Sequence, residues 1–409
     1  MQKLFQIFQQ TFWQAVVKVI TSAGGFIILA VVSRTYGEDG TGDFTLALTY
    51  LAFFFIFSDF GFNAHILGRL QEKGYQTLWR KLLGVRILWS LLLMTLALFL
   101  IGILPVSAFT PQFKIAVVLG IVTVFFYGLN STANSIFQAK LKYEFGAIPV
   151  LFSAPLGVIA IILMAEAKLP VQILILGYVL SWLIYGSSTL LLASKFTNYI
   201  IPVFDIQFTK RLFAGAWPLA ATLVLNTIYF RVDAFILSFF HSSASVGIYN
   251  TAYQVFQAVL VLPTFIMNSF YPMMLQTLKV NISRFGHQIR LAILGLTLCS
   301  VGILVFMYTL SPSIIKLITG SGFAGSVDSL RILSFGFPAY FLSALALWIM
   351  VAKKRYKQMV VVYAIGLTFN ILANLFFIPK YSYIAASWIT GISEYLILIM
   401  QAVILVRIR

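Results

Sequence analysis

The sequence predicts an all-α integral membrane protein: twelve transmembrane helices in two parallel six-helix bundles, related by a pseudo-twofold axis along the membrane normal. Three observations predict it. Of 409 residues, 61% are hydrophobic and only 10% are charged, with a mean hydropathy of +0.97, whereas soluble chains carry about a quarter charged residues. Apolar runs of about 20 residues, enough for a helix to cross the hydrocarbon core, recur along the whole chain. A motif also repeats: Gly247-Ile248-Tyr249-Asn250-Thr251-Ala252 parallels Gly42-Asp43-Phe44-Thr45-Leu46-Ala47, about half the chain earlier.

Taken in order, residues 2–13 are polar on one helical face and read as an interfacial lead-in. A cleaved signal peptide is the rival reading. The run from Phe12 is too long for one and leads straight into a multispanning chain. The apolar runs predict spans near 12–33, 44–67, 82–104, 115–137, 146–165 and 171–193. In the second half they fall near 213–239, 246–271, 289–310, 331–352, 358–378 and 382–406. These form two bundles, residues 1–200 and 201–409.

Basic residues orient the spans. Nineteen of the 28 Lys and Arg fall in the N-terminus, 68–81, 138–145, 194–212, 272–290, 353–357 and the C-terminus. Five fall in the opposite loops: Arg34, Lys114, Lys168, Lys316 and Lys380. Both termini are therefore expected in the cytoplasm. That rule, with attraction to anionic lipid headgroups, accounts for much of the net charge of +17, so no nucleic-acid partner is called for. Six spans per copy is an even number, so both copies point the same way. Parallel repeats place a substrate site between bundles, which is a transporter's architecture. The repeat shows again where Ala139-Lys140-Leu141-Lys142-Tyr143 ends the fourth span and Ala352-Lys353-Lys354-Arg355-Tyr356 ends the tenth. Leu169-Pro170 and Ile378-Pro379 precede the sixth and twelfth.

Several segments together resemble the Wzx-type flippases of lipid-linked oligosaccharides, within the multidrug/oligosaccharidyl-lipid/polysaccharide exporter (MOP) superfamily. They are Ser33-Arg34-Thr35-Tyr36-Gly37, Ser58-Asp59-Phe60-Gly61-Phe62-Asn63, Trp217-Pro218, Arg231-Val232-Asp233 and Val246-Gly247-Ile248-Tyr249. Ser311–Gly320 leading to Leu330-Arg331-Ile332-Leu333 is similar to the family's loop before the tenth span, and Phe377–Tyr381 with Ser393-Glu394 completes the set. Tyr383-Ile384-Ala385-Ala386 departs from it, lacking a glycine often found there, and twelve spans argue against the fourteen-span branch. The resemblance implies a secondary transporter in a bacterial inner membrane. It would flip undecaprenyl-diphosphate-linked oligosaccharide repeat units, such as O-antigen units, to the outer leaflet, with a polysaccharide polymerase as partner. An ion-coupled multidrug exporter of the same superfamily is the alternative.

Ionisable residues at membrane depth are costly and mark candidate sites. Gln14, Lys18, Thr21 and Gly25 form one helical stripe, which places Lys18 either in a wet cavity or snorkelling to the interface. Thr222, Asn226, Tyr229 and Asp233 repeat the spacing, with Arg231 off that stripe. Asn250, Gln254, Gln257, Thr264 and Asn268 make the longest stripe. It either packs helices through side-chain amides or hydrogen-bonds sugar hydroxyls. Lys18, Asn226, Arg231, Asn250, Gln254 and Gln257 are thus the candidate substrate residues. Glu394, sharing a face with Ser387, Thr390 and Gln401, is the candidate site for a coupling H+ or Na+, with Asp233 second. Asp59 is expected to pair with Arg69, and Arg86 and Arg290 to snorkel. The sequence has no Ser/His/Asp set, HExxH or phosphate-binding Gly-rich loop. Its single cysteine, Cys299, lies in an apolar run and its three histidines are scattered, so no enzyme activity, metal or cofactor is expected. A polysaccharide polymerase or ligase would carry a large external loop, and every external loop here is short.

Overall fold

A computed structural model describes residues 2–280 and 282–406, the side chains of residues 2–11, Asn226, Ser269, Pro272, Lys279 and Ile282 excepted. Among the described residues there is no strand. The first seven helices are α1 Gln2–Asp59, α2 Phe62–Ile66, α3 Tyr75–Ile103, α4 Pro111–Gly120, α5 Val122–Ala139, α6 Glu144–Glu166 and α7 Ile175–Thr197. They are followed by α8 Ile206–Phe240, α9 Ser243–Val259, α10 Val261–Val280, α11 Ile282–Thr319, α12 Ala324–Ser334, α13 Phe337–Ala352 and α14 Tyr356–Val406. Among the described residues, seven helices are long and apolar enough to cross a membrane, or up to nine if each of two bent pairs is one span.

Two of these helices are broken rods. α1 breaks at Gly37 (φ 64°, ψ −161°), a conformation that glycine adopts without a Cβ clash. α14 breaks at Ser382 (φ 52°, ψ −139°), where a side chain must tolerate the left-handed region. Ser382 directly precedes the glycine-free Tyr383–Ala386 segment. The interfacial lead-in runs into α1 without interruption. Ser311–Thr319, expected to be a loop, is instead the last part of α11, with Pro312 inside the helix. Neighbouring helices and side chains can re-satisfy the backbone group that a proline frees. The helix stops only at Gly320, where φ is 79°.

The chain forms two compact units, Met1–Ile228 and Tyr229–Arg409. Their boundary falls inside α8, beyond the 200/201 division read from the sequence. The reason is packing: Phe208, Leu212 and Ala216 at the start of α8 share one core with Phe62, Trp79, Leu83 and Ile136. In the first unit α7 packs on α5 and α6, α1 on α6 and α4, and α3 on α5. In the second, α13 packs on α14 and α11, and α12 packs on α9, α11 and α14.

With lipid outside as apolar as the helices, close backbone approach is a main source of association. Gly157 of α6 and Gly177 of α7 provide one. A Cβ on Gly157 would lie 2.8 Å from the Gly177 carbonyl oxygen, and one on Gly177 would lie 2.9 Å from that of Gly157. Gly157→Ala is therefore expected to cost about 1–3 kcal/mol through overpacking, read as a lower thermal midpoint in detergent. Gly102→Ala, where a Cβ meets nothing within 4 Å, should not lower it. Equal midpoints for the two variants would show that the α6–α7 approach is not close.

Candidate functional site

The second unit buries two carboxylates, Asp233 of α8 and Glu394 of α14, at 2% and 4% exposure. Helical spacing explains their placement. Tyr229 and Asp233 are one turn apart on α8, and Thr390 and Glu394 one turn apart on α14. The Tyr229 hydroxyl donates to Glu394 Oε2 at 2.8 Å, and the Thr390 hydroxyl to Asp233 Oδ2 at 3.3 Å. Residues four apart thus meet residues four apart in reverse order, as two antiparallel helices require. Ser343 of α13 donates to Glu394 Oε1, and Tyr249 of α9 to Asp233 Oδ2. The Ala234 N–H donates to Asp233 Oδ1 at 2.8 Å. A polar seam continues along the same segment of α14, where Ser387, Thr390, Ser393 and Gln401 are all buried. Ser387 meets Ser329 at 2.6 Å, and Asn370 donates to Ser393 at 3.1 Å.

The donors to the two carboxylates are neutral: four hydroxyls and one backbone N–H. Among the described residues neither Asp233 nor Glu394 takes part in a salt bridge. Burying an ionised carboxylate without a salt-bridge partner is costly, and each of the four carboxylate oxygens here accepts at least one hydrogen bond. The sequence names no partner for Glu394. It has two, Tyr229 of the distant helix α8 and Ser343 of the preceding helix α13.

The first unit solves the same problem with opposite charges. Arg86 of α3 is fully buried. It donates to the Ser58 carbonyl, to Asn63 Oδ1 at 2.9 Å and to Asp59 Oδ1 at 3.4 Å, and it lies 5.1 Å from the Phe62 ring centroid. Ser131 of α5 donates to Asp59 at 3.1 Å, and Asn63 donates to the Ser131 carbonyl at 2.9 Å. Two expectations are corrected here. Asp59 pairs with Arg86 rather than Arg69, and Arg86 does not snorkel. α3 starts at Tyr75 instead of residue 82, which sets Arg86 about three turns inside the helix. Arg290, in contrast, is exposed and lines an apolar cavity of about 590 Å³ with Lys353 and residues of α11, α13 and α14.

Of the remaining candidates, Lys18 is exposed on α1 together with Gln14 and Thr21, and Arg231 is half-buried. The Asn226 side chain lies outside the described residues. Asn250 is buried, Gln254 and Gln257 are half-buried, and Thr264 and Asn268, beyond the junction of α9 and α10 at Leu260, are exposed. Asp233 and Glu394 are brought together with Tyr229 and Tyr249. Sequence reasoning missed Tyr249 and Ser343 as donors, although Tyr249 lies within the repeated glycine motif and Tyr229 stands on the Asp233 stripe.

A family model described as polysaccharide biosynthesis protein matches residues 7–278, and the MatE model matches residues 218–376. These are families of transporters and flippases, not of enzymes. No curated protein matches the chain. Among solved structures, the lipid II flippase MurJ in an inward closed conformation is similar with a TM-score of 0.77 and 16% identity, covering 96% of this chain and 87% of that one. An inward-facing multidrug resistance MATE family transporter of the MOP superfamily gives 0.67 at 11% identity, covering 97% and 95%. A MOP superfamily transporter from Pyrococcus furiosus gives 0.63 at 11%, covering 97% and 93%. The chain shares their fold.

The carboxylate ladder makes a direct prediction. Tyr229→Phe removes a donor to a charged group and should cost about 1.5–3 kcal/mol in the parent. It should cost clearly less in a Glu394→Gln background. A double-mutant cycle on thermal unfolding measures the difference, and strict additivity would mean that the two side chains do not interact.

Proposed function

This chain belongs to the polysaccharide biosynthesis protein family, and from that premise we propose that it flips an undecaprenyl-diphosphate-linked oligosaccharide from the cytoplasmic to the outer leaflet. The observation carrying this reading is a family match over two-thirds of the chain, joined to a membrane-helical fold that the MurJ flippase shares. In this reading the chain is a Wzx-type flippase of a bacterial inner membrane with both termini cytoplasmic. It has twelve spans in two six-helix copies, divided near residue 200. Splitting α1 at Gly37 and α14 at Ser382 supports that number, as does joining α4 to α5, α9 to α10 and α12 to α13. A polysaccharide polymerase is the partner that would consume the flipped units.

Lys18 supplies positive charge to the diphosphate, and Asn226, Arg231, Asn250, Gln254 and Gln257 meet the sugars. Asp233 and Glu394 take up the coupling H+ or Na+. A ligand drives alternating access only if it favours one conformation over another. Removing a buried charge does this. The MatE match across residues 218–376 favours one second reading, an ion-coupled multidrug exporter.

Purified protein in proteoliposomes should flip a fluorescent undecaprenyl-diphosphate oligosaccharide. Lys18→Ala should slow flipping at least tenfold at normal insertion, while Lys18→Arg keeps part of it. Transport of a lipophilic cationic dye without flipping would establish the exporter instead. Glu394→Gln mimics the neutral carboxyl and should insert normally yet lose its response to an imposed pH or sodium gradient. A variant that responds like the parent would move the coupling role to Asp233.

A further inference from the structure

At one end of the first unit, His65, Arg69, Gly74, Thr77, Lys81 and Arg211 line a cavity of about 300 Å³, over a floor of Leu78, Phe208 and Leu212. No carboxylate lines it. Of its three permanent cations, Lys81 is already paired with Asp205, at 2.7 Å. Lys81, with the Phe208 N–H, holds the Asp205 carboxyl below its usual range. Among the described residues, Arg69 and Arg211 have no salt-bridge partner.

The first turn of α3 completes the wall. Gly74 precedes it with φ at 81°, and no side chain caps the helix. Its first N–H groups therefore lack a capping side chain at the positive end of a 29-residue helix. Two guanidinium groups without an ion-pair partner, Arg211 also donating its Nε to the Gln207 carbonyl at 3.3 Å, share this cavity with an uncapped helix start, a combination suited to receiving phosphate oxygens. Segments 68–81 and 194–212 are among those whose basic residues put them in the cytoplasm, where basic pockets between membrane helices meet lipid phosphates.

We propose that this pocket binds a phosphate group, carried either by an anionic phospholipid headgroup or by the diphosphate of a lipid-linked cargo. The assignment to the cytoplasmic face and the cargo diphosphate rest on the functional reading above, whereas phosphate binding itself does not. Binding is tested without transport, so failure here leaves flipping untouched, and failure of flipping leaves this site untouched.

The full chain in phosphatidylcholine nanodiscs should bind pyrophosphate. Arg69→Gln and Arg211→Gln should each weaken it about tenfold or more, the loss expected for a charged hydrogen bond. Both side chains are exposed, and an unchanged thermal midpoint without pyrophosphate shows that each variant is folded. A control changing Lys354→Gln and Arg355→Gln, in the other unit, should bind like the parent. If phosphatidylglycerol in the nanodisc competes with pyrophosphate in the parent, the pocket takes membrane headgroups. If affinity is the same in both nanodiscs, the pocket stays open for a cargo diphosphate. Absence of binding by the parent, parental affinity in both arginine variants, or an equal loss in the control overturns the proposal.

Discussion

Each unit must hold charge where no water can solvate it. Arg86 is fully buried in the first, and four groups answer it: a backbone carbonyl, an amide, a carboxylate and an aromatic face. They come from the end of α1 and the start of α2, on either side of the turn between them. The position of that turn relative to α3 is therefore constrained by the guanidinium. Ser131 extends the network to α5 through Asp59. Removing one member would leave a buried charge uncompensated, a far larger penalty than the pair's net contribution.

The two units answer the constraint differently. Arg86 and Asp59 balance each other within the first. Asp233 and Glu394 receive hydrogen bonds from tyrosine, serine and threonine hydroxyls, which satisfy lone pairs without cancelling charge. Among the described residues neither carboxylate of the second unit has a salt-bridge partner, whereas Asp59 of the first does. That asymmetry is why the coupling proposal belongs to the second unit.

Most helices were legible because apolar run length and basic loops are local signals. The stripe of Tyr229 and Asp233 was also legible, since four-residue spacing is written in the sequence. Pairing across helices was not. Arg69 lies nearer to Asp59 in sequence than Arg86 does, and an arginine near an expected helix start looks interfacial. Both errors came from starting α3 seven residues late. The Ser311–Thr319 segment, expected to be a loop from its resemblance to the family, lies inside α11 with its proline. Ser343 was invisible as a Glu394 donor, since one serine in an apolar run carries no period.

The order in which these partners occur along the chain matters during synthesis. Ser58, Asp59 and Asn63 all precede Arg86, so the arginine enters the membrane with its counter-groups already made. The second unit runs the other way. Asp233 is translated before Tyr249, and its second hydroxyl donor, Thr390, arrives only with the final helical segment. Since chains fold from the N-terminus as they are made, the nascent second unit carries an incompletely satisfied carboxylate almost to its last residues. A chain stopped short of Thr390 would lack both that donor and Glu394, and Asp233 would be left with the Tyr249 hydroxyl and the Ala234 N–H as its donors.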